Sequence, residues 1–98
     1  MSSSDDRWSV YIVQCADGSL YTGVTTDVHR RVREHNKSKK GAKYTRPRRP
    51  VHLLCSLGSL TQSKALKLEC EIKSLKKSQK VQRMAELLEN AQTQVQPD

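Results

Sequence analysis

Phenylalanine is absent from this chain of 98 residues, and one tryptophan and three tyrosines are its whole aromatic content. This small amount of large apolar surface is enough for one small core. We expect a single domain over residues 8–89, between disordered ends at residues 1–7 and 90–98. Apolar runs fall well short of the ~20 residues that span a bilayer, and the N-terminus lacks the features of a signal peptide. We therefore expect a soluble cytoplasmic protein without a membrane partner.

Cysteine is scarce as well. The chain has three, Cys15, Cys55 and Cys70. Their odd number and the lack of a C-x-x-C pair argue against a disulfide framework and a zinc site. Each occupies an apolar position of a predicted strand or helix, so we expect three buried free thiols.

Acidic residues are outnumbered, with 10 Asp and Glu against 18 Lys and Arg and a net charge of +8. Such a chain binds polyanions, and nucleic acid comes first, although a merely solubilising surface explains the same charge. Much of the charge lies in residues 37–50, which glycine and prolines predict to be a loop. We expect this loop to contact nucleic acid rather than serve as a solvated linker. Its candidate contact residues are Lys37, Lys39, Lys40, Lys43, Tyr44, Arg46, Arg48 and Arg49.

The first quarter of the chain predicts a β-hairpin. β-Branched and aromatic residues fill residues 8–15 and 20–25 around the turn sequence ADGS. A two-residue turn would place Tyr11 and Tyr21 on opposite faces of the sheet. A three-residue loop puts both tyrosines on one face as diagonal neighbours. We favour this second register because Gly18 is then the third loop residue, where the turn needs a glycine.

A helix is predicted over residues 28–37, with Thr26 or Asp27 as its N-cap. Four of its residues share the face that packs on the sheet, because they recur at intervals of three and four. They are Val28, Arg31, Val32 and His35. Arginine and histidine are unusual on a buried face, and the alternative is that their polar tips reach water.

The second half predicts one strand and two helices. The strand covers residues 51–57 and ends at Gly58, and a helix capped by Ser59 or Thr61 then runs to residue 77. Its apolar stripe consists of Ala65, Leu68, Ile72 and Leu75. The last helix, residues 79–89, buries Val81, Met84, Ala85 and Leu88.

Glu69 falls inside the apolar stripe of its helix, whereas Glu71 faces outward. A buried carboxylate is costly unless it is paired or bound to a metal, so Glu69 forms a salt bridge with Arg31 or anchors a hard cation such as Mg²⁺. Arginine grips phosphate, and tyrosine or histidine can orient or deprotonate a water molecule. Together these side chains suit phosphodiester hydrolysis, while each alone also has a structural interpretation.

SVY at residues 9–11, followed ten residues later by YTG, resembles the paired signature of the GIY-YIG nuclease superfamily. The segments TTDVHRRVREHN, GAKYTRPRRPV and KALKLECEIK resemble its short, single-domain, YhbQ-like branch. This resemblance covers residues 8 to about 80. It implies an α/β (α+β) domain with a three-stranded antiparallel sheet flanked by helices and a metal-dependent nuclease site on one sheet face.

The resemblance also implies roles for particular residues. The matched positions are Tyr11, Tyr21, Gly23, Arg31, His35 and Glu69. Glu69 matches the metal ligand, Arg31 would bind the scissile phosphate, and either tyrosine would deprotonate the water with assistance from His35. The ordinary tyrosine pKa of ~10 requires the metal and Arg31 to lower it.

Two features depart from the family. Ser9 replaces the first signature glycine, and the asparagine that often follows the glutamate helix is missing from KSLKKSQK, which leaves Asn90 in the tail as the sole candidate. We also expect no separate DNA-targeting domain, so specificity would come from the basic loop or from a protein partner.

We expect a nuclease that depends on Mg²⁺ or Mn²⁺ and hydrolyses DNA rather than RNA, in repair or recombination, at the nucleoid if the source is bacterial. The alternative is a nucleic-acid-binding module without hydrolysis that acts with a partner protein.

Overall fold

The computed structural model describes residues 6–95, and their side chains as far as residue 90. Its elements are β1 (Trp8–Gln14), β2 (Leu20–Thr25), α1 (Val28–Lys37), a short 3₁₀ helix (Arg46–Arg48), β3 (His52–Leu60), α2 (Gln62–Lys73) and α3 (Lys77–Val95). The strands form one antiparallel sheet in the order β2-β1-β3. This confirms the predicted α+β class with a three-stranded antiparallel sheet and flanking helices.

The central strand β1 is buried on both faces, which explains its unbroken apolar run at residues 10–13. Its even-numbered side chains pack against Ile72 of α2 and Met84 of α3. Its odd-numbered side chains face the other side, where Val28 and Val32 of α1 cover them. The sheet therefore separates two small cores, and α1 covers the face that carries the tyrosines.

The β1–β2 hairpin has the register of the three-residue loop. Tyr11 pairs with Gly23 and Val13 with Tyr21, so the two tyrosines share a face. The loop glycine, Gly18, has a φ of +87°, in the left-handed region. The prediction from the turn sequence is confirmed.

For α1 and α2 the sequence offered two candidate N-cap residues each, and in both helices the residue directly before the first helical residue is the cap. The Asp27 carboxylate accepts the backbone N–H of Arg30 at 3.0 Å and begins α1. The Thr61 hydroxyl accepts the backbone N–H of Lys64 at 3.1 Å and begins α2. Both side chains satisfy amide groups that have no partner within the first turn of a helix.

The predicted boundaries of three elements are wrong. β3 runs through Gly58 to Leu60, because an edge strand with two register shifts tolerates a glycine that a regular central strand would not. α2 ends at Lys73 rather than at residue 77, since the chain turns at Ser74, whose hydroxyl donates to the carbonyl of Glu71 at 2.7 Å. α3 begins two residues earlier than predicted and continues to Val95, so residues 90–95 of the expected tail are helical.

Other predicted features also need correction. On α3, Met84 is buried and Leu87 packs beside it, whereas Val81 and Ala85 are exposed, so the buried face is rotated from the predicted one. Val81 instead lines a groove of about 530 Å³. Of the cysteines, Cys15 is buried and Cys55 half-buried, but Cys70 is exposed on α2.

The expectation of disordered ends falls partly outside this description. Residues 1–5 and 96–98 of the expected disordered ends lie outside the described residues. Within residues 6–95, every helix is too short or too polar to cross a membrane.

Replacing Gly18 with alanine should lower the free energy of unfolding by about 1 kcal/mol, because a Cβ is disfavoured at positive φ. Crowding does not contribute, since the nearest atom, Lys77 Nζ, would be 3.8 Å from that Cβ. Gly18→Asn is the matched control and should cost less, because asparagine tolerates the left-handed region. Urea unfolding followed by Trp8 fluorescence measures both. Equal stability of wild type and Gly18→Ala would contradict the assigned turn.

Candidate active site

The tyrosine-bearing face of the sheet contains a buried polar pair. Tyr11 of β1 is 1% exposed and His35 of α1 is 0% exposed. The Tyr11 hydroxyl lies 2.7 Å from His35 Nε2. Gly23, opposite Tyr11 in the sheet, leaves room for this hydroxyl, since a Cβ there would lie 2.6 Å from the Tyr11 oxygen. The signature glycine is thus required by the position of the tyrosine hydroxyl.

The second ring nitrogen of His35 also has a partner. His35 Nδ1 lies 2.9 Å from the hydroxyl oxygen of Thr45, which comes from the loop between α1 and β3. Thr45 is itself fully buried, and its hydroxyl donates to the carbonyl of Ala42 at 3.0 Å. His35 is therefore held at both nitrogens, by the sheet on one side and by the loop on the other.

Burial keeps this pair uncharged at neutral pH. It raises the pKa of Tyr11 to about 12, although the Arg31 guanidinium acts in the opposite direction. It lowers the pKa of His35 to about 4, and the nearby Arg31 charge adds to this effect. The expectation that Arg31 lowers the pKa of the tyrosine is correct in direction for Tyr11, but desolvation outweighs it.

Tyr21 lies beside His35 at the edge of the site. Its ring meets the His35 ring edge-on, with 5.3 Å between centroids, and stacks with the Tyr44 ring at 6.0 Å. The Lys73 ammonium lies 5.7 Å from the centroid of Tyr21. Tyr21 thus links the sheet, the basic loop and α2, and it is more accessible than Tyr11.

Arg31 is a charged group at the rim of the site. Its side chain is 24% exposed, and Nη1 donates to Glu34 Oε1 at 2.9 Å and to the carbonyl of Lys40 at 2.8 Å. These contacts fix the guanidinium next to Tyr11. Arg31 also holds the pKa of the Glu34 carboxyl below its usual range, through their hydrogen bond.

Glu69 is another charged group at the rim. Its side chain is 20% exposed, and Oε2 lies 3.3 Å from Lys73 Nζ. Glu69 therefore forms an ion pair with Lys73. The sequence offered a salt bridge with Arg31 as the alternative to metal binding, and the partner is a different residue. Its charge nevertheless acts on the Tyr11 hydroxyl, in the direction that raises the pKa of the tyrosine. Glu71, two residues on, points away and pairs with Arg83 at 2.6 Å.

The donor set limits which metal could bind. Within the described part of the chain, no three His, Cys, Asp or Glu side chains are grouped to hold a metal ion. Tyrosine oxygens and one carboxylate do not suit a zinc site, which takes four protein ligands or three with an open position. They fit a hard cation such as Mg²⁺, which uses one or two carboxylates and completes its shell with water and phosphate oxygens.

The basic loop lies next to this site but is less uniform than predicted. Its lysines are exposed, and Tyr44 is 39% exposed. Its three arginines make contacts within the protein. Arg46 donates to the Lys39 carbonyl, Arg48 to Asp17 and the Tyr44 carbonyl, and Arg49 to the carbonyls of His35 and Ser38. Arg49 is turned inward, at the C-terminal end of α1, which differs from the surface role expected for it.

Sequence reasoning missed three residues that contact the site, namely Glu34, Thr45 and Lys73. Glu34 and Lys73 lie three and four residues from Arg31 and Glu69 on the same helices, a spacing that brings side chains together. That spacing could have indicated both residues from the sequence. Thr45 had no comparable signal, since it lies in an irregular loop.

Comparison with known proteins identifies the family of this chain. A family model described as the GIY-YIG catalytic domain matches residues 7–82. A UPF0213 protein of Desulfotalea psychrophila is 56% identical over 73 residues, which cover 74% of this chain and 66% of that protein. A UPF0213 protein of Staphylococcus aureus is 51% identical over 81 residues, which cover 83% of this chain and 98% of that protein.

A solved structure is similar as well. The solution NMR structure of the UPF0213 protein of Bacillus halodurans shares 45% sequence identity and superposes with a TM-score of 0.50, covering 80% of this chain and 82% of that one. The match to the catalytic-domain model extends over all three strands and both helices that supply the site. The chain therefore belongs to the GIY-YIG family, among its UPF0213 members.

Proposed function

We propose that this protein is a divalent-metal-dependent nuclease that hydrolyses phosphodiester bonds of DNA. The observation that carries the proposal is the convergence of charges on the buried Tyr11–His35 pair. Arg31 and Glu69 come from two different helices, and both act electrostatically on the Tyr11 hydroxyl. A cation, a carboxylate and a proton-carrying pair are the parts that phosphoryl transfer requires.

Arg31 binds the scissile phosphate in this proposal. Its Nη1 is fixed by Glu34 and the Lys40 carbonyl, so the guanidinium is pre-organised without a cost at the moment of reaction. A guanidinium offers several donors in a fixed plane, and it stabilises the negative charge that accumulates on phosphate oxygens. Its pairing with Glu34 leaves other donors of the fork for a substrate.

Glu69 would hold a divalent cation, Mg²⁺ or Mn²⁺, which would supply Lewis-acid charge to the reaction when bound. The carboxylate is 20% exposed, so it is reachable from solvent while one side rests on the protein. Its partner Lys73 is half-exposed on the same helix and can move aside, because a surface ion pair of this kind contributes little to stability.

Tyr11 and His35 move the proton of the attacking water. With a pKa of about 12, Tyr11 does not ionise on its own at neutral pH. It can take a proton from water only as it passes its own proton to His35 Nε2, 2.7 Å away. The partly buried Tyr21 then orients the water, while Tyr11 serves as the proton acceptor.

The lysines of the basic loop bind the flanking backbone. Lys37, Lys39, Lys40 and Lys43 are exposed around the loop that contacts Tyr21 and His35. Such contacts are electrostatic and independent of sequence. We also propose that the basic loop or a protein partner supplies selectivity for the substrate. The protein would act in DNA repair or recombination, in the cytoplasm and at the nucleoid.

Glu69→Gln should lower the rate of metal-dependent cleavage by about 100-fold or more, because the charge that holds the cation is lost. Affinity for DNA should be unchanged or higher, since one negative charge is removed. The measurement is a time course on supercoiled, single-stranded and branched DNA with Mg²⁺, Mn²⁺ or EDTA, together with a binding isotherm in EDTA.

Glu71→Gln is the matched control. It makes the same chemical change two residues away on α2, where the carboxylate faces Arg83 instead of the site. It should cleave at the wild-type rate. Equal rates for wild type and Glu69→Gln would refute the assignment of Glu69. Binding without cleavage by the wild type would favour a nucleic-acid-binding module.

The free energy of unfolding should fall by about 3 kcal/mol between pH 6.5 and pH 4 on account of His35 alone. Burial and the charges of Arg31 and Arg49 lower the pKa of His35 in the folded protein to about 4. The unfolded chain therefore binds the extra proton first as pH falls, and stability is lost through this window. Urea unfolding at a series of pH values measures the effect.

The contribution of His35 is isolated by comparing two variants. His35→Gln should show a shallower fall across this pH window than wild type, because the titrating group is gone. His29→Gln, on the exposed side of the same helix, should retain the wild-type slope. Parallel profiles for wild type and His35→Gln would show that the imidazole is not buried in its neutral form.

A further inference from the structure

The inner side of the basic loop makes a contact that nucleic-acid binding does not require. Thr45 and His35 are both 0% exposed, although each carries polar atoms. Two buried polar side chains from distant segments must satisfy one another or lose the free energy of their contacts with water. Here the Thr45 hydroxyl oxygen and His35 Nδ1 meet at 2.9 Å.

A count of protons fixes the direction of these hydrogen bonds. A threonine hydroxyl has a single proton, and the Ala42 carbonyl, 3.0 Å from Thr45 Oγ1, can only accept. If the hydroxyl donated to His35 instead, two acceptor oxygens would face each other at hydrogen-bonding distance. The hydroxyl therefore donates to Ala42, and its oxygen accepts from His35.

The same count then applies to the imidazole. A neutral imidazole carries one N–H, and burial keeps His35 neutral by lowering its pKa to about 4. If Nδ1 donates to Thr45, Nε2 has a lone pair and accepts from the Tyr11 hydroxyl at 2.7 Å. The protons run in one direction, from Tyr11 through His35 and Thr45 to the Ala42 carbonyl.

Thr45 is held in place from both sides. Its own backbone N–H donates to the Ala42 carbonyl at 3.1 Å, and its carbonyl accepts from Arg48 at 2.9 Å. Gly41 brings the loop against α1 so closely that a Cβ there would lie 2.9 Å from the carbonyl oxygen of Glu34. The inward Arg49 binds carbonyl oxygens at the end of α1. The hydroxyl is thus fixed relative to His35.

We propose that Thr45 is a positioning residue that holds His35 in the tautomer protonated on Nδ1, so that Nε2 can take the proton of Tyr11. The consequence for catalysis rests on the proposed function, whereas the tautomer does not depend on it. In the opposite tautomer Nε2–H would donate to Tyr11, and the tyrosine proton would have no acceptor on His35. Thr45 sets the direction of proton transfer without touching the substrate.

The tautomer can be read directly from long-range ¹H–¹⁵N spectra of the histidine ring in ¹⁵N-labelled protein without metal or DNA. Wild type should show a protonated Nδ1 and an unprotonated Nε2 for His35. Thr45→Val keeps the shape but removes the acceptor, so a protonated Nε2 should appear. Thr45→Ser restores the hydroxyl and should restore the wild-type spectrum.

A matched control is provided by Thr22. It is also buried, at 2% exposure, but its hydroxyl has no hydrogen-bond partner within the described residues. Thr22→Val should therefore leave the His35 spectrum unchanged. In cleavage assays Thr45→Val should be about 10- to 100-fold slower than wild type, as when the partner that orients a functional histidine is removed, and Thr45→Ser should be close to wild type.

The results separate this proposal from the nuclease assignment. A protonated Nε2 in wild type overturns the proposal, and that spectrum does not require any variant to fold. A Thr45→Val protein that keeps the wild-type His35 spectrum, or that cleaves DNA at the wild-type rate, also overturns the proposal. If the wild type cuts no DNA, the nuclease assignment fails, and the spectra of wild type, Thr45→Val and Thr45→Ser still decide the tautomer.

Discussion

The hydrogen bond between the Tyr11 hydroxyl and His35 Nε2 connects the central strand to the first helix inside the protein. Because β1 is covered on both faces, the phenol of Tyr11 is removed from water, and an unpaired hydroxyl there would cost about 1–3 kcal/mol. This requirement fixes the rotation of α1, which must turn His35 toward the sheet. It also requires a glycine opposite the tyrosine and a second partner for the far side of the imidazole, which the loop supplies as Thr45.

The site divides its polar groups by burial. The fully buried members, Tyr11, His35 and Thr45, are neutral, which avoids the large cost of placing an unpaired charge in the interior. The charged members, Arg31 and Glu69, are about one-fifth to one-quarter exposed and have partners of opposite charge on their own helices. A neutral pair that can carry a proton thus lies beneath charges that can meet a phosphate and a cation.

Regular elements explain why much of this arrangement was predictable. The position of Gly18 selected one of two hairpin registers, and that register placed Tyr11 and Tyr21 on one face. Helical spacing turned Arg31 and His35 toward the sheet. The predictions from the sequence are wrong where tertiary packing overrides the local pattern of apolar residues and glycines. α3 packs through Met84 and Leu87 instead of Val81, and β3 continues past Gly58 because it is an edge strand whose bulges accommodate a glycine.

The sequence by itself determined which side chains face inward, because a strand alternates with period 2 and a helix repeats every 3.6 residues. That was enough to predict that the two tyrosines share a face of the sheet and that Arg31, His35 and Glu69 turn inward, whereas their meeting in one site was implied by the resemblance to the GIY-YIG superfamily. The tertiary structure alone decided that Thr45 contacts His35 and that Arg49 turns inward to the end of α1. Both residues lie in a loop without a repeating geometry, so their directions follow from where the chain passes over its neighbours and not from their spacing along it.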